Sequence, residues 1–399
     1  MHVLIADPLS ATTVHSLKAL GVSVDLRPDL SADELPSRVG EADVLVVRST
    51  KVKPAAIEAG RSLSLIVRAG AGVNTIDVAA ASERGIYVAN CPGKNAAAVA
   101  ELTIGLLIAC DRRIVDAASE LREGHWLKKK YGEASGLRGR TLGIIGLGTI
   151  GRAVAEAARG LGMKIVAWSR SLTPELAAVY EVERAESPIE LARRADAITI
   201  HTAYTPELKH FVDAKFLESM RDGAILINTA RGDLVDSAAL AEAIRTKGLR
   251  VGLDVYDNEP SGWEGEFPDT KLARMVTGTP HIGASTEQAA EAIAAEAVRI
   301  VRVFRETGKP PAENTVNLCG RSPATHSLVV RHFNRVGVLA GVLDALREEG
   351  INVEEMDNTI FDGAHAACCT LQLDTAPSTR VVASIRENPA VLQVTVQAR

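Results

Sequence analysis

The feature that most restricts the fold of this chain is a glycine-rich turn between an apolar run and a helical pattern. The apolar run, Leu142 to Ile145, is typical of a short strand covered on both faces. Gly146, Gly148 and Gly151 follow in the spacing G-x-G-x-x-G, and an alanine-rich helical stretch and a second apolar run, 163–168, come next. This order predicts a βαβ unit within a doubly wound parallel sheet.

Each glycine of this turn has its own physical role. Gly146 allows the tight turn, Gly148 lets the backbone approach a pyrophosphate, and Gly151 lets the helix pack closely on the strand. The helix N-terminus offers unpaired N–H groups and the positive end of its dipole to phosphates. An ordinary strand-to-helix turn would also use glycines, but the complete order of elements favours a dinucleotide-binding fold.

Ser169 and Arg170 stand at the end of the second strand, where NAD-binding folds place an acidic residue for the ribose hydroxyls. A carboxylate there would repel a 2′-phosphate, whereas a hydroxyl and a guanidinium would accept it. The pair therefore favours NADP, or the use of both NAD and NADP. Alternatively, Arg170 lies over the adenine or in solvent while NAD binds through other groups.

The length and composition of the chain set broad limits. At 399 residues it is too long for one compact core, and we expect two or three domains. The net charge of −5 gives no reason to expect nucleic acid or an anionic membrane as a partner, and the longest apolar run, 102–110, is too short to span a bilayer. Five cysteines without a C-x-x-C pair indicate neither a disulfide framework nor a metal site. With no secretory signal at the N-terminus, we expect a cytoplasmic protein.

Apolar runs and helical stretches alternate along residues 1–95, which predicts a first α/β layer with a parallel sheet. Two long helical patterns, 95–121 and 285–307, suit a chain that leaves this layer, builds a second one and returns. We therefore expect a discontinuous domain, 1–95 with 286–315, around a dinucleotide-binding domain, 96–285.

The order of strand-like and helical patterns changes after Gly308-Lys-Pro-Pro311. From residue 322 to residue 399 the order of strand-like and helical patterns is βαββαβ. This order predicts a small third domain, a ferredoxin-like sandwich.

Three polar residues each follow a predicted strand of the second layer: Arg231, Glu259 and His281. Because parallel strands end at one edge of a sheet, we expect these side chains to lie together beside the dinucleotide. Oxidation of a 2-hydroxy acid needs such a set: a base for the hydroxyl proton, a carboxylate that orients the imidazole and favours its protonated form, and a guanidinium for the substrate carboxylate. Each residue alone could be an ordinary loop residue, but their joint placement favours a catalytic site.

Two loops of the first layer also follow buried strands. Arg48 and Ser49 follow one strand, and the loop 68–74 follows another. The backbone N–H groups at Gly70 and Gly72 suit an anion. A plain turn with a solvated arginine is the alternative for each loop.

Seven segments, in order along nearly the whole chain, resemble those of the D-isomer-specific 2-hydroxyacid dehydrogenase family: VVRSTKV, RAGAGVNTID, AELTIGLL, GLGTIG, NTARGDLVD, GLDVYDNEP and TPHIGAST. The resemblance implies that Arg231, Glu259 and His281 are the catalytic residues. It also implies cofactor contacts from a larger set of residues: Gly146, Gly148, Thr149, Ile150, Gly151, Ser169, Arg170, Thr202, Thr229, Ala230, Asp254, Gly283 and Ala284.

The resemblance further implies a small phosphorylated 2-hydroxy acid, D-3-phosphoglycerate, as substrate. The residues expected to bind it are Arg48, Ser49, Ala71, Gly72 and Lys128. Lys128 belongs to a basic segment that reaches the neighbouring subunit in the family, which implies a homodimer or homotetramer; a solvated basic turn is the alternative. Reduction of hydroxypyruvate or glyoxylate is the competing activity, and a dinucleotide-sensing transcriptional corepressor is the competing non-enzymatic function.

The residues after 322 resemble an ACT domain, a regulatory module that binds amino acids. His332, Asn334 and Asn352 fall at positions that bind serine in similar modules, and asparagine can pair with both the ammonium and the carboxylate of an amino acid. The resemblance therefore implies L-serine as an effector, bound between modules of paired subunits. The alternative is a module that only holds the oligomer together.

Overall fold

A computed structural model of the chain describes residues 1–260, 264–320 and 322–399. The chain forms two compact units, Met1–Asn317 and Leu318–Arg399. Among the helices in these residues, none is both long and apolar enough to cross a lipid bilayer.

The first sheet of the larger unit is built from short apolar strands, and its third strand is buried at every position, as expected for a strand covered on both faces. In chain order its elements are β1 (His2–Ile5), α1 (Ala11–Ala19), β2 (Ser23–Leu26), β3 (Val44–Val47), α2 (Pro54–Ala59), β4 (Leu65–Arg68), α3 (Val78–Glu83) and β5 (Tyr87–Asn90). All pairs are parallel, in the order β2-β1-β3-β4-β5. This order is that of a doubly wound sheet.

The second sheet is also entirely parallel. It follows the helices that lead the chain out of the first sheet. Its elements are α4 (Ala96–Arg112), α5 (Ile114–Arg122), α6 (Lys128–Tyr131), β6 (Thr141–Ile145), α7 (Thr149–Gly160), β7 (Lys164–Trp168), α8 (Pro174–Val179), β8 (Glu183–Arg184), α9 (Pro188–Arg194), β9 (Ala197–Ile200), α10 (Ala214–Ser219), β10 (Ile225–Asn228), α11 (Ser237–Lys247), β11 (Arg250–Leu253), α12 (Thr270–Ala273), β12 (Thr277–Gly278) and α13 (Glu287–Thr307). The strand order is β12-β11-β10-β9-β6-β7-β8, so the order reverses between β6 and β9, beside the glycine-rich turn. Ligands bind at such a reversal in doubly wound sheets.

Helix α13 returns the chain to the first sheet. Its buried residues Ile293, Ile300 and Val301 join the core between that sheet and α1. The first sheet is thus completed by a segment from far along the chain.

The predicted single helix 95–121 is wrong: two helices, α4 and α5, meet at Arg113, which has a left-handed φ of 51°. The end of α4 is fixed because buried Asp111 accepts hydrogen bonds from Arg140 and from the Gly136 N–H. Helix α5 buries none of its residues, so no packing keeps it in line with α4. The apolar pattern did not reveal this difference.

The smaller unit contains β13 (His326–Phe333), α14 (Val338–Glu348), β14 (Val353–Ile360), β15 (Ala366–Leu373), α15 (Thr379–Glu387) and β16 (Val391–Ala398). The four strands form an antiparallel sheet in the order β14-β15-β13-β16. Every second residue of β15 is buried, so one sheet face packs against the helices.

The predicted fold class is confirmed: two doubly wound parallel sheets are followed by a βαββαβ module. The assignment of residues 1–95 and 286–315 to substrate binding, and of 96–285 to cofactor binding, stays a prediction, as does the regulatory role of 322–399.

Candidate active site

Parallel register gathers the predicted catalytic residues at one edge of the second sheet. Arg231 follows β10, Glu259 follows β11 and His281 follows β12, and these three strands are consecutive neighbours. All three residues therefore leave the carboxyl edge on adjacent loops.

A short hydrogen bond joins His281 Nδ1 to Glu259 Oε2, at 2.6 Å. The other oxygen, Oε1, accepts from the Tyr256 N–H at 2.9 Å. Burial raises the pKa of Glu259, but the hydrogen bonds from His281 and Tyr256 outweigh it, and the pKa lies below its ordinary value of 4.5. Because an ionised carboxylate only accepts, Nδ1 must carry the proton and Nε2 is the nitrogen of the neutral ring that can take another.

A buried carboxylate shapes the loop that carries His281. Asp254 Oδ1 accepts from Thr279 Oγ1 and from the Ile282 N–H, each at 2.7 Å, and Oδ2 accepts from the Gly283 N–H at 2.8 Å. These bonds hold His281 at a φ of 53°, a conformation that costs a non-glycine residue on the order of 1–3 kcal/mol. Asp254 therefore fixes the loop backbone from which the imidazole projects.

A second histidine at the same edge is a poor proton carrier. His201 follows β9, and its Nε2 shares a hydrogen bond of 2.9 Å with Thr199 Oγ1. Burial lowers the pKa of His201 to about 3, so the ring is neutral at physiological pH. Of these two histidines, His281 is the better candidate for acid–base chemistry.

Arg231 lies where the two sheets approach each other. A Cβ on Gly72, in the loop after β4, would stand 2.7 Å from Arg231 Nη2, so the guanidinium lies directly on that backbone. Its loop is fixed by Asn228, whose side chain donates to the Arg231 carbonyl at 2.8 Å. Burial lowers the pKa of Arg231, and the charge of Glu259 acts in the opposite direction.

Arg68 is a candidate site residue that the sequence reasoning missed. Its guanidinium folds over Gly70, where a Cβ would stand 1.7 Å from Nη1, and its Nε donates to the Arg48 carbonyl at 3.1 Å. Burial, followed by the charges of Arg231 and Arg48, lowers the pKa of Arg68. Three guanidinium groups therefore share one region. The position of Arg68 at a strand end was the signal that could have identified it.

Buried side chains fix the loops of the first sheet through hydrogen bonds to the loop backbone. Asp7 Oδ2 accepts from the Arg48 N–H at 2.6 Å and from the Thr50 N–H at 3.1 Å. Asn90 Nδ2 donates to the Ala71 carbonyl at 2.5 Å. Arg48, exposed Ser49 and the Ala71–Gly72 backbone thus stand at the carboxyl edge of this sheet.

The glycine-rich turn has the geometry that a dinucleotide requires. Gly146 has a φ of +89°, and a Cβ on Gly151 would stand 2.1 Å from the Gly146 carbonyl oxygen, so helix and turn are in direct contact. A Cβ on Gly148 would meet open space. Within the described residues no side chain caps the start of α7, which leaves its N–H groups for phosphate oxygens. These residues fit a pyrophosphate.

Comparison with known families matches residues 104–283, which include all seven strands of the second sheet, to the NAD-binding domain of D-isomer-specific 2-hydroxyacid dehydrogenases. Over 323 residues the chain is 40% identical to the D-3-phosphoglycerate dehydrogenase of Methanocaldococcus jannaschii, covering 79% of this chain but 59% of that relative. It is 42% identical over 281 residues to the hydroxypyruvate reductase of Thermotoga maritima, covering 70% of this chain and 89% of that relative. The chain belongs to the D-isomer-specific 2-hydroxyacid dehydrogenase family.

A solved structure supports this family membership. The crystal structure of NAD+-bound 3-phosphoglycerate dehydrogenase from Entamoeba histolytica is similar with a TM-score of 0.66 at 27% identity, covering 80% of this chain and 99% of that one.

The remaining predicted cofactor residues also lie at the carboxyl edge of the second sheet. Thr229 is buried and its hydroxyl hydrogen-bonds to Thr103 of α4 at 2.9 Å. Arg170 is exposed, and its charge lowers the pKa of Glu207, after the contributions of the Glu207 N–H and Thr205. The others follow strands of the same sheet or begin α7: Thr149, Ile150, Ser169, Thr202, Ala230, Gly283 and Ala284.

Lys128 is not brought to the other candidate residues within one chain. It lies on α6, in the segment between α4 and β6. The segment begins just after Asp111 and ends at Arg140. The Asp111 carboxylate accepts a hydrogen bond from Arg140, which precedes β6, and the Asp111 carbonyl accepts one from Arg250, which begins β11. Both ends of the segment are therefore held at the amino ends of these strands. Lys128 is therefore on a segment anchored at the opposite edge of the sheet.

The predicted effector residues are divided between two ends of the smaller unit. His332 is buried, with Nδ1 2.8 Å from the Phe333 carbonyl, and Asn334 donates to the Ala364 carbonyl at 3.2 Å. Asn352 directly precedes β14. The first residue of β14, Val353, and the first residue of β13, His326, both pair with Leu373, so Asn352 lies at the end of the sheet where β13 begins. Seven residues of strand, about 23 Å, separate this end from Phe333. Asn352 therefore lies far from His332 and Asn334 in one module.

One group of possible metal ligands occurs among the described residues, Glu120, Glu123 and His125. It is on the surface, and Glu120 already accepts from His125 and from Lys130. It contributes nothing to the candidate site.

Proposed function

We propose that the chain is an NAD(P)-dependent oxidoreductase that oxidises D-3-phosphoglycerate at C2 to 3-phosphooxypyruvate, the first step of L-serine biosynthesis. The observation that carries the proposal is the His281–Glu259 hydrogen bond on loops adjacent to that of half-buried Arg231. This arrangement supplies a base, its orienting carboxylate and an anion site at the edge where the dinucleotide turn lies.

In this proposal His281 Nε2 takes the proton of the C2 hydroxyl. Glu259 holds the ring through Nδ1 and balances the charge that the imidazolium gains. The lowered pKa of Glu259 keeps its carboxyl group ionised across the pH range in which the enzyme acts. In the reverse direction the protonated ring returns the proton to the 2-oxo group.

Three guanidinium groups suit a substrate with a carboxylate and a phosphate. Arg231 would hold the carboxylate as a bidentate pair and polarise the oxygen on C2. Arg68 and Arg48 would take the phosphate, whose charge offsets both the burial and the repulsion by Arg231 and Arg48 that lower the pKa of Arg68. The backbone N–H groups of Ala71 and Gly72 would complete the anion site.

The nicotinamide of the cofactor supplies the acceptor for the hydride leaving C2. Gly146, Gly148, Gly151 and the start of α7 would hold its pyrophosphate. Ser169 and Arg170 support NADP or dual use, because neither residue would repel a 2′-phosphate.

Of the two competing functions, one has specific support. The Thermotoga maritima relative, named as a hydroxypyruvate reductase, is matched over 89% of its length, which favours a reductase of unphosphorylated 2-oxo acids. A dinucleotide-sensing corepressor would use the fold to bind a dinucleotide and would not need catalytic residues. The hydrogen bond between His281 and Glu259 argues against it.

Two features support an oligomeric, regulated protein. Trp126 is 79% exposed, and with Lys128 it lies on the segment anchored far from the candidate site in its own chain, as suits a segment that reaches a second subunit. Asn352 lies far from His332 and Asn334 in one module, as suits an L-serine site formed between two modules.

Initial rates with 3-phosphoglycerate, glycerate and lactate, each with NAD and with NADP, test the proposal. We expect kcat/KM for 3-phosphoglycerate to exceed that for glycerate by about 100-fold, because glycerate lacks the phosphate and so forgoes its charge-assisted hydrogen bonds to the guanidinium groups. Equal rates would favour the reductase, and no turnover with any of the three would remove the enzymatic proposal. Titration with millimolar L-serine tests the effector site separately.

A further inference from the structure

The last residues of the larger unit, 314–317, lie beside β5 at the edge of the first sheet. Thr315 pairs antiparallel with Ala89 of β5. Asn317 accepts from the Val88 N–H and donates to the Ile86 carbonyl, each at 2.9 Å. Residues 314–317 are thus fixed along the strand that ends at Asn90.

Asn314 is 1% exposed, and each polar atom of its side chain is used. Its Nδ2 donates to the Asn90 carbonyl and to Glu296 Oε1, each at 2.9 Å, and its Oδ1 accepts from Arg299 at 2.6 Å. Lys94, in the segment that crosses to the second sheet, pairs with the other oxygen of Glu296 at 3.2 Å. The crossing segment and the end of β5 are therefore tied to one polar cluster.

The end of β5 in turn holds the loop after β4. Asn90 Nδ2 donates to the Ala71 carbonyl, and the neighbouring Cys91 N–H donates to the Gly70 carbonyl at 2.9 Å. This loop contains Gly72, on which the Arg231 guanidinium lies. An unbroken series of hydrogen bonds therefore runs from Glu296 through Asn314 and Asn90 to the proposed anion site.

We propose that Asn314 is a positioning residue for the substrate: acting through Asn90, it fixes the Ala71–Gly72 backbone at the distance from Arg231 that binding a 2-hydroxy acid requires. The inference rests on the proposed function of this loop in holding the substrate anion. Because Asn314 is buried and bonds to Asn90, Glu296 and Arg299, we expect it to act on the affinity for the oxyacid and to leave the dinucleotide site unaltered.

Asn314→Ala is the test, and Asn317→Ala is its matched control. Both asparagines hold the same segment on β5, but the contacts of Asn317 lie at Ile86 and Val88, away from the loop. We expect Asn314→Ala to raise KM for 3-phosphoglycerate about tenfold, the equivalent of one lost hydrogen bond, while kcat and the Kd of NADH stay within about twofold. Asn317→Ala should lower the melting temperature and leave KM within about twofold of wild type.

A second variant and a second measurement keep the test decisive. Asn90→Ala removes the Asn90–Ala71 bond and leaves Asn314 in place, so it should raise KM as Asn314→Ala does even if Asn314→Ala folds poorly. Amide hydrogen exchange of the peptide 66–74 should speed up in both variants and not in Asn317→Ala, whether or not the enzyme uses 3-phosphoglycerate. Inactivity of the wild type would thus end the proposed function alone. Unchanged exchange, or a KM equal to that of Asn317→Ala, would overturn the inference.

Discussion

Replacing Glu296 with glutamine should destabilise the larger unit in a strongly pH-dependent way. Glu296 is 7% exposed on α13, and its carboxylate accepts from Arg299, Asn314 and Lys94. The hydrogen bond from Arg299, against the opposing effect of burial and with help from the other two donors, lowers the pKa of Glu296 to about 2. The substitution removes the charge and keeps the volume.

The expected loss follows from this pKa. With 4.5 in the unfolded chain and about 2 in the folded chain, the ionised carboxylate stabilises the fold by about 3 kcal/mol at pH 7. Because the folded-state pKa is the lower one, this stabilisation is present above about pH 4.5 and is lost as the pH falls towards about 2. The difference between wild type and Glu296→Gln should therefore shrink to about 1.5 kcal/mol at pH 3.

Urea unfolding followed by tryptophan fluorescence measures this difference. All three tryptophans, Trp126, Trp168 and Trp263, precede the smaller unit, so the signal reports on the larger unit alone. The free energy of unfolding of both proteins is determined at several pH values between 7 and 3. A difference that stays constant with pH, or a variant as stable as wild type at pH 7, would refute the reasoning.

Three further substitutions examine the proposed site. Arg68→Ala should raise KM for 3-phosphoglycerate about 100-fold but for glycerate only about threefold, because it removes a phosphate cation; equal effects in the same steady-state assay would remove Arg68 from the phosphate site. Asp254→Asn should lower kcat/KM by about 10- to 100-fold and lower the melting temperature, because the amide must turn a donor towards a backbone N–H or the Thr279 hydroxyl; a fully stable, fully active variant would contradict its role in holding the loop. Ser169→Asp should shift the ratio of kcat/KM for NADP and NAD towards NAD by about 100-fold, because the carboxylate repels a 2′-phosphate; an unchanged ratio would show that this position does not select the cofactor.

Much of the fold and the placement of the candidate-site loops could be predicted because both depend on local pattern. The apolar run before Gly146 and the glycine spacing predict the parallel sheet, and parallel strands must end at one edge. That edge then collects Arg231, Glu259 and His281, whatever the details of the loops between them.

The residues that hold the loops could not be predicted, because their partners are remote in sequence. Asp7 holds a loop 41 residues away, and Asn314 contacts a residue 224 positions away. No local pattern indicates such pairs. Arg68 was missed for a related reason: its importance comes from the approach of Arg231, on the other sheet.

The break between α4 and α5 shows the same limit. Apolar residues occur on both sides of the break, so a pattern-based prediction joins the two helices, whereas the tertiary contacts of Asp111 fix the end of the packed helix.

The most direct test of the central claim is turnover of His281→Gln, measured together with NADH affinity. Glutamine keeps a polar side chain of similar size but cannot take the proton at Nε2. We expect kcat to fall by about 100- to 10,000-fold while the Kd of NADH, from fluorescence titration, stays within about twofold of wild type. A variant with near-wild-type kcat would contradict the assignment of His281 as the base, and with it the proposed chemistry.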